Sequence, residues 1–428
     1  MMEARIRGPA LIRGEARVPG DKSISHRALI LGAMAKGEME IRGLSPARDV
    51  RSTAECLRAL GVELSLEEEK ALVHGRGPES FSPPLKPLDC GNSGTTMRLL
   101  AGVLAGRPFE SVLVGDESLS RRPMRRVVEP LSLMGAEIHA RQGDFPPLRV
   151  RGGRLRGIHY RLPVASAQVK SAIMLAGLQA EGETVVEEPL PSRDHTERML
   201  LFFGAQLEKD GTRIRLVPGE LRARPVAVAG DFSSAAFLLA AAAPRPGAEV
   251  LVHSVGVNPT RTGFLEVLRE MGADVAVLGR DEIAGEPVAD IRVRGRELRG
   301  IELGGEIVPR MIDEIPLVFV LATQAAGTTV VRGARELRVK ESDRISAMAE
   351  NLRRLGAEVR ELPDGMEIRG PRRLRAARLL GFMDHRVVMA CAVAALFAEG
   401  ESVIEGAEWA EVSFPGFFSV LEGIVHDR

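Results

Sequence analysis

GDKSISHRALILGAMAKGEMEIRG, residues 20–43, holds the pattern from which the chain is built. A polar cluster (GDKSIS, 20–25) opens a run of small apolar residues (HRALILGAMAKG, 26–37), and a short strand pattern (MEIRG, 39–43) follows. A capping side chain, a stretch of helix formers and a glycine stop predict a helix with a defined start and end. The same order recurs at CGNSGTT (90–96), ASAQ (165–168), GDFSS (230–234), IDE (312–314) and MDHR (383–386). Upstream of each opening a strand pattern ends at a glycine: Gly8, Gly77, Gly152, Gly219, Gly295 and Gly370. The opening helices are expected to stop at Gly37, Gly106, Gly182, Gly247, Gly327 and Gly400.

A second, amphipathic helix then closes on a glycine turn, at ALGVEL (59–64), LMGAEI (133–138), FFGAQL (202–207), REMGADV (269–275) and RRLGAEV (353–359). The unit reads βαβαββ over about 70 residues, and self-similarity at such a period marks a repeat architecture. The sixth copy stops short after SFPGFFSVLEG (413–423), while ARIRGP at the N-terminus resembles MEIRGP (366–371). The N-terminal strands are therefore expected to complete the last repeat. This predicts an α/β fold of six βαβαββ repeats, three per domain. One domain would span 20–228 and the other 1–19 plus 229–428, with hinges near Pro19-Gly20 and Ala229-Gly230 and a site in the cleft between them.

Lys plus Arg and Asp plus Glu both number 58, so no basic field exists to attract nucleic acid or an anionic membrane. One Trp and one Tyr supply no stacking platform for RNA. Only seven of the cations are Lys, and two of these, Lys22 and Lys340, fall in polar clusters. Three Cys without CxxC spacing suit a reducing, cytoplasmic setting, and the eight His form no ligand pair, so no metal or cofactor is expected. The N-terminus does not read as a signal peptide, and the longest apolar run, 387–398, is too short to span a bilayer. A monomer working on small molecules is expected.

An open helix start offers unpaired N–H groups and a positive dipole end, where anions bind. Lys22 and Arg27 sit in the first turns of such a helix, where cations oppose the dipole. Ser23 is a candidate cap and Asp21 a partial offset; two broken rules at one place suggest a bound anion. A solvated charged helix end is the plainer alternative. In VKESDRISAMAENLRRLGAEV (339–359) the stripe Ile345, Met348, Leu352, Leu355 leaves Lys340 and Arg344 four apart on one helix face, with Glu341 between. A surface ion pair explains that equally well. MDHR places His385 and Arg386 at a start capped by Asp384. GNSGTTMR (91–98) is a glycine-rich turn into a helix, and GDESLSRRPMRR (115–126) carries four Arg suited to phosphate or carboxylate. SAQ (166–168) offers a hydroxyl and an amide. Asp313 and Glu314 lie in an apolar stretch, where burial raises a carboxylate's proton affinity and suits a general base, although a plain cap fits too. GDFSS carries no cation and reads as a structural or hinge copy.

GDKSISHRALI, CGNSGTTMR, SRRPM, SAQVKSAIMLAGL, MIDEIP, VKESDR, DHR and SFP, in this order, resemble the EPSP synthase (3-phosphoshikimate 1-carboxyvinyltransferase) family across the whole chain. The resemblance implies a two-domain inverse α/β barrel-like fold with the active site in the interdomain cleft. It implies transfer of the enolpyruvyl group of phosphoenolpyruvate to the 5-hydroxyl of shikimate 3-phosphate, with release of inorganic phosphate. Lys22, Ser23, Arg27, Ser166, Ala167, Gln168, Asp313 and Lys340 would then bind shikimate 3-phosphate, with Arg193 near its phosphate. Lys22, Gly94, Arg122, Gln168, Arg344 and Arg386 would bind phosphoenolpyruvate. Asp313 would take the 5-hydroxyl proton, Glu341 would exchange a proton with the methylene carbon, and Lys22 would share in proton transfer.

Some positions depart from the family's best-known branch: SAQ stands for SSQ, Leu99 for a common Pro, and Val412 for a frequent Lys before SFP. These bear on inhibitor sensitivity more than on the reaction. Two alternatives compete. An enolpyruvyl transferase acting on UDP-N-acetylglucosamine would carry a reactive Cys in the loop 116–125, which has none. A non-catalytic phosphate-ester-binding repeat protein would bind without releasing phosphate.

Overall fold

The structure, a computed structural model, describes residues 2–426. It is the six-repeat α/β architecture, and the chain divides into two compact units. One holds the N-terminal strands through Pro19, Ala229–Asp281 and the chain from Pro287 on; the other holds Gly20–Val228 with the short piece Glu282–Glu286.

Every opening forms a helix: Lys22–Met34, Gly94–Ala105, Ala167–Gly177, Phe232–Ala242, Ile315–Ala322 and His385–Ala395. Asp21, Ser93, Ser166, Asp231 and Asp384 each cap their helix with a side-chain oxygen, satisfying N–H groups that have no partner within the helix. Only Gly106, of the six expected glycine stops, directly follows its helix. The helix before Gly327 ends at Ala322 and that before Gly400 at Ala395. Both glycines have positive φ, 101° and 103°, and serve to turn the chain into the next strand rather than to end the helix. In the first repeat the helix stops at Met34 and Gly37 lies inside the strand Ala35–Arg42.

The opening helices are apolar on all sides because they are enclosed. Every residue of Phe232–Ala242 is buried, and small side chains let neighbouring helices approach closely. A Cβ on Gly102 would stand 2.2 Å from the Ala172 carbonyl oxygen, so only glycine permits that crossing. The second helices, Arg48–Ala59, Arg125–Leu133, His195–Phe202, Gly263–Met271 and Arg344–Arg354, each keep one buried face.

Sheet order repeats with the helices. In the second repeat it runs Leu88–Asp89, Glu110–Val114, Phe145–Arg151, Glu137–Arg141, and the fifth repeats it as Glu302–Leu303, Gly327–Val331, Gly365–Gly370, Glu358–Leu362. The strand after the opening helix thus pairs parallel with a short strand before that helix. The first and fourth repeats break this rule together. Leu11–Arg17 leads into the Lys22 helix, yet pairs parallel with Glu249–Gly256 of the fourth repeat. Leu221–Arg222 and Val226–Ala227 lead into the Phe232 helix, yet pair with Ala35–Arg42 of the first. This exchange lets each unit close on its own strands. Glu3–Gly8 completes the sixth repeat by pairing antiparallel with Gly400–Glu405, in continuous register from Glu3 opposite Glu405 to Gly8 opposite Gly400.

Candidate active site

Within the Gly20–Val228 unit, three helix starts are joined by hydrogen bonds. Lys22 Nζ donates to Asp49 Oδ2 at 3.0 Å, and its side chain is 16 % exposed rather than out in solvent. Arg27 is buried. Its Nε donates to Thr196 Oγ1 at 2.6 Å, one terminal nitrogen to Ser171 Oγ at 2.8 Å, and the other to the Ser23 carbonyl at 2.9 Å. Burial lowers the Arg27 pKa to about 10; Glu197 and Asp21 oppose the shift, and the nearby positive charge of Arg193 adds to it. At this start Lys22 meets a carboxylate of the chain itself, and Arg27 is held by two hydroxyls and a carbonyl, which weakens the inference of a missing anion drawn from Lys22 and Arg27 alone.

Gly94 is the first residue of its helix, and Ser93, not a glycine, caps it. A Cβ on Gly94 would stand 2.7 Å from an Arg98 terminal nitrogen and 3.4 Å from one of Arg122, so glycine keeps two guanidinium groups at the helix start. Arg98 donates to Gln168 Oε1 at 2.6 Å, and Gln168 Nε2 donates to Thr95 Oγ1 at 2.9 Å, which links the second and third openings. Arg122 is buried and donates to Asn92 Oδ1 at 2.6 Å, whereas Arg121 of the same loop is exposed and pairs with Glu117. Ser166 caps the helix that begins at Ala167.

In the other unit, the remaining predicted residues form one charged cluster. Arg344 is almost fully buried. Its Nε donates to Asp384 Oδ2 at 2.8 Å, a terminal nitrogen lies 3.4 Å from Asp313 Oδ1, and the other donates to Glu341. Burial alone would lower the Arg344 pKa, but Asp384, Glu341 and Asp313 outweigh it and hold the guanidinium above its ordinary value. Arg386 Nε lies 3.6 Å from Asp313 Oδ1. Lys340 is half-buried beside these groups; desolvation, and then Arg344, pull its pKa down while Asp313 opposes. A lysine so placed holds its proton less tightly than one in water.

Three expectations need correcting. Lys340 and Arg344 do not share a helix face: Asp343 caps a helix that starts at Arg344, and Lys340 lies in the turn before it. Of the Asp313 and Glu314 pair, Glu314 is the buried one, 1 % exposed and bonded by the Ser233 hydroxyl, while Asp313 faces two guanidinium groups. The fourth opening does have a cation. Arg261, from the loop between the strand Glu249–Gly256 and the helix Gly263–Met271, donates to Asp231 Oδ1 at 3.2 Å and Ser233 Oγ at 2.8 Å, a pairing too distant in sequence to be seen from GDFSS.

Sequence reasoning also missed Asp49, Asn92, Thr196 and the fully buried Lys170, which lies 2.8 Å from Glu188 and 2.7 Å from Glu197. The one available signal was Lys170 inside VKSAIMLAGL, a charge within an apolar helix and therefore in need of partners. Among the described residues, no group of three or more His, Cys, Asp or Glu is placed to hold a metal ion, and no helix is long and apolar enough to cross a membrane.

A family profile described as EPSP synthase (3-phosphoshikimate 1-carboxyvinyltransferase) matches residues 6–421. The 3-phosphoshikimate 1-carboxyvinyltransferase of Halorhodospira halophila is 54 % identical over 420 residues, covering 97 % of this chain and 95 % of that protein. The EPSP synthase of Acinetobacter baumannii superposes with a TM-score of 0.88 at 42 % identity, covering 99 % of both chains. The enolpyruvyl transferase NikO from Streptomyces tendae, at 16 % identity and a TM-score of 0.80 over 99 % of this chain and 98 % of that one, shares the fold. On the family profile and these full-length relatives, the chain belongs to the EPSP synthase family.

Proposed function

We propose that the residues gathered at these helix starts carry the reaction of the family to which the chain belongs. The chain transfers the enolpyruvyl (1-carboxyvinyl) group of phosphoenolpyruvate to the 5-hydroxyl of shikimate 3-phosphate, giving 5-enolpyruvylshikimate 3-phosphate and inorganic phosphate. This is a step of the shikimate pathway toward chorismate and the aromatic amino acids.

The observation that supports the assignment of roles is Asp313 beside the Arg344 and Arg386 guanidinium groups, with Glu341 on the same Arg344. Two anionic substrates, each with a phosphate and a carboxylate, need cations held in fixed directions, and a buried guanidinium supplies that. In the reading, Asp313 accepts the 5-hydroxyl proton as that oxygen bonds to the substituted alkene carbon. Glu341 delivers a proton to the methylene carbon, and Lys22 shares in the transfer. Loss of a proton from the resulting methyl group then expels phosphate and restores the double bond.

Lys22, Ser23, Arg27, Ser166, Ala167, Gln168, Arg193, Asp313 and Lys340 take shikimate 3-phosphate, while Lys22, Gly94, Arg122, Gln168, Arg344 and Arg386 take phosphoenolpyruvate. The assignment draws on residues of both units, so a turnover needs both. The three cysteines, Cys56, Cys90 and Cys391, are all buried, which disfavours a thiol-dependent transfer to UDP-N-acetylglucosamine. The bare Gly94 leaves space for glyphosate beside Arg122, and competitive inhibition against phosphoenolpyruvate is expected.

The test is release of inorganic phosphate by purified protein. Release should depend on both substrates and should fall steeply in Lys22→Ala with the fold retained. Well-folded protein that releases none with both substrates present would remove the reading.

A further inference from the structure

His26 belongs to GDKSISHR but has no part in the roles above. It is fully buried, and its Nδ1 lies 2.7 Å from Thr53 Oγ1. Thr53 Oγ1 lies 2.7 Å from Thr96 Oγ1, and Thr96 Oγ1 donates to Ser93 Oγ at 2.8 Å. All four side chains are fully buried. The chain of hydroxyls joins the Lys22 helix, the Arg48–Ala59 helix and the Gly94 helix, ending on the residue that caps the last.

Proton counting gives the chain a direction. Each hydroxyl has one hydrogen to donate. Thr96 turns its hydrogen to Ser93, with the Asp49 carbonyl 3.4 Å away as its other acceptor, so its oxygen receives the hydrogen of Thr53; Thr53 must then receive one from His26 Nδ1. This makes His26 the neutral tautomer with its proton on Nδ1. The remaining nitrogen, Nε2, is buried with no hydrogen-bond partner, and a bare lone pair there is less costly than an orphaned N–H. Burial, and then the charges of Lys22 and Arg27, disfavour protonation of the ring.

The relay also sets a register. Lys22 pairs with Asp49 and His26 pairs with Thr53, two rungs four residues apart on both helices. Sliding either helix breaks both rungs at once. From the second rung, Thr53 continues to Thr96 and Ser93, which hold the start of the Gly94 helix.

We propose that His26 is a positioning residue: as a neutral Nδ1–H tautomer it anchors a buried relay through Thr53 and Thr96 to Ser93, fixing Lys22 and the Gly94 helix start in one register. The proposal rests on the reading of Lys22 and Gly94 as phosphoenolpyruvate-binding residues.

Nitrogen-15 spectra of the protein labelled at histidine, with His26→Gln used to identify the signal, should show His26 neutral and Nδ1-protonated. An Nε2–H tautomer or an imidazolium near neutral pH overturns the relay. Thr53→Val keeps the shape and removes both hydrogen bonds. It should raise KM for phosphoenolpyruvate about tenfold or more, with kcat far less affected, and shift the His26 signal; Thr53→Ser should restore both. Unchanged KM and an unchanged His26 signal in Thr53→Val also overturn it. The tautomer is read on the native protein without Thr53→Val, so a poorly folding Thr53→Val does not protect the idea. Absence of phosphate release by the native protein would remove the functional reading, while the tautomer spectrum would still test the relay.

Discussion

Replacing Arg344 by Met tests whether the charged cluster is a unit or a collection of separate pairs. The guanidinium is 1 % exposed and serves three carboxylates, Asp313, Glu341 and Asp384. Removing one partner of a buried ion pair costs about 3–5 kcal/mol, because the remaining charges stay desolvated. For a unit of roughly 200 residues, each kcal/mol moves the melting temperature by about 2–4 °C, so the transition should fall by roughly 6–20 °C. Asp384→Asn separates charge from capping. Asn can still accept from the Arg386 N–H, now bonded at 2.9 Å, but its NH2 then takes the place of the oxygen that accepts from Arg344 Nε, so that charge-assisted bond is lost. A hydrogen bond to a charged group contributes about 1.5–3 kcal/mol, so this variant should lose less. The double variant should be more stable than the sum of the two losses by about 1 kcal/mol or more, since the two groups are in contact. Thermal unfolding at low and high salt is the assay; salt should change the Arg344→Met difference little, as buried pairs are poorly screened. A melting temperature within about 2 °C of the native protein, or strict additivity in the double variant, would refute the argument.

Gly94→Ala should fold normally, because its Cβ meets only the far ends of Arg98 and Arg122, 2.7 and 3.4 Å away. It should raise KM for phosphoenolpyruvate about tenfold through displacement of Arg98 from Gln168, and weaken glyphosate inhibition; unaltered KM and inhibition would count against the placement. Lys170→Met leaves Glu188 and Glu197 buried without their cation and should lower the melting temperature by several degrees, with partial recovery on adding Glu188→Gln and Glu197→Gln; no loss in the single variant would contradict the buried triad. His26 has a pKa well below its ordinary value of 6.5, so the unfolded chain binds its proton first as pH falls. The stability contribution is therefore complete above about pH 7 and is lost on acidification, with a slope of up to about 1.4 kcal/mol per pH unit below pH 6.5. Urea unfolding of His26→Gln from pH 5 to 8 should lack that part of the slope; identical slopes would disprove it.

The repeat itself was plain in the sequence because its signals are short-range. A capping Asp or Ser before a small-residue helix, as at Asp21 and Asp384, depends on only a few neighbouring residues. The ARIRGP segment could be matched to MEIRGP for the same reason. Local reading failed where backbone geometry has two uses for one residue: Gly327 and Gly400 turn the chain into a strand and do not end the helix.

The candidate site was legible by residue type and far less by environment. The spacing places Arg344 on a helix face shared with Lys340, with a surface ion pair as an equal reading, yet Asp343 caps a helix that begins at Arg344, which lies buried against Asp313 and Asp384, distant in sequence. Arg261 supplies the cation that GDFSS lacks, and Asp49 holds Lys22, from elements no spacing rule connects.

The sequence alone determined six βαβαββ units, their helix starts and the residue types placed there, because caps, periodicity and glycine conformation act within one repeat. Tertiary structure decided the exchange of Leu11–Arg17 with the strands at 221–227, and with it the closure of each unit. It also decided which charges are buried and which carboxylate each one meets. Strand pairing and burial depend on surfaces brought together only when the sheets close, so they cannot be read from a local stretch of chain.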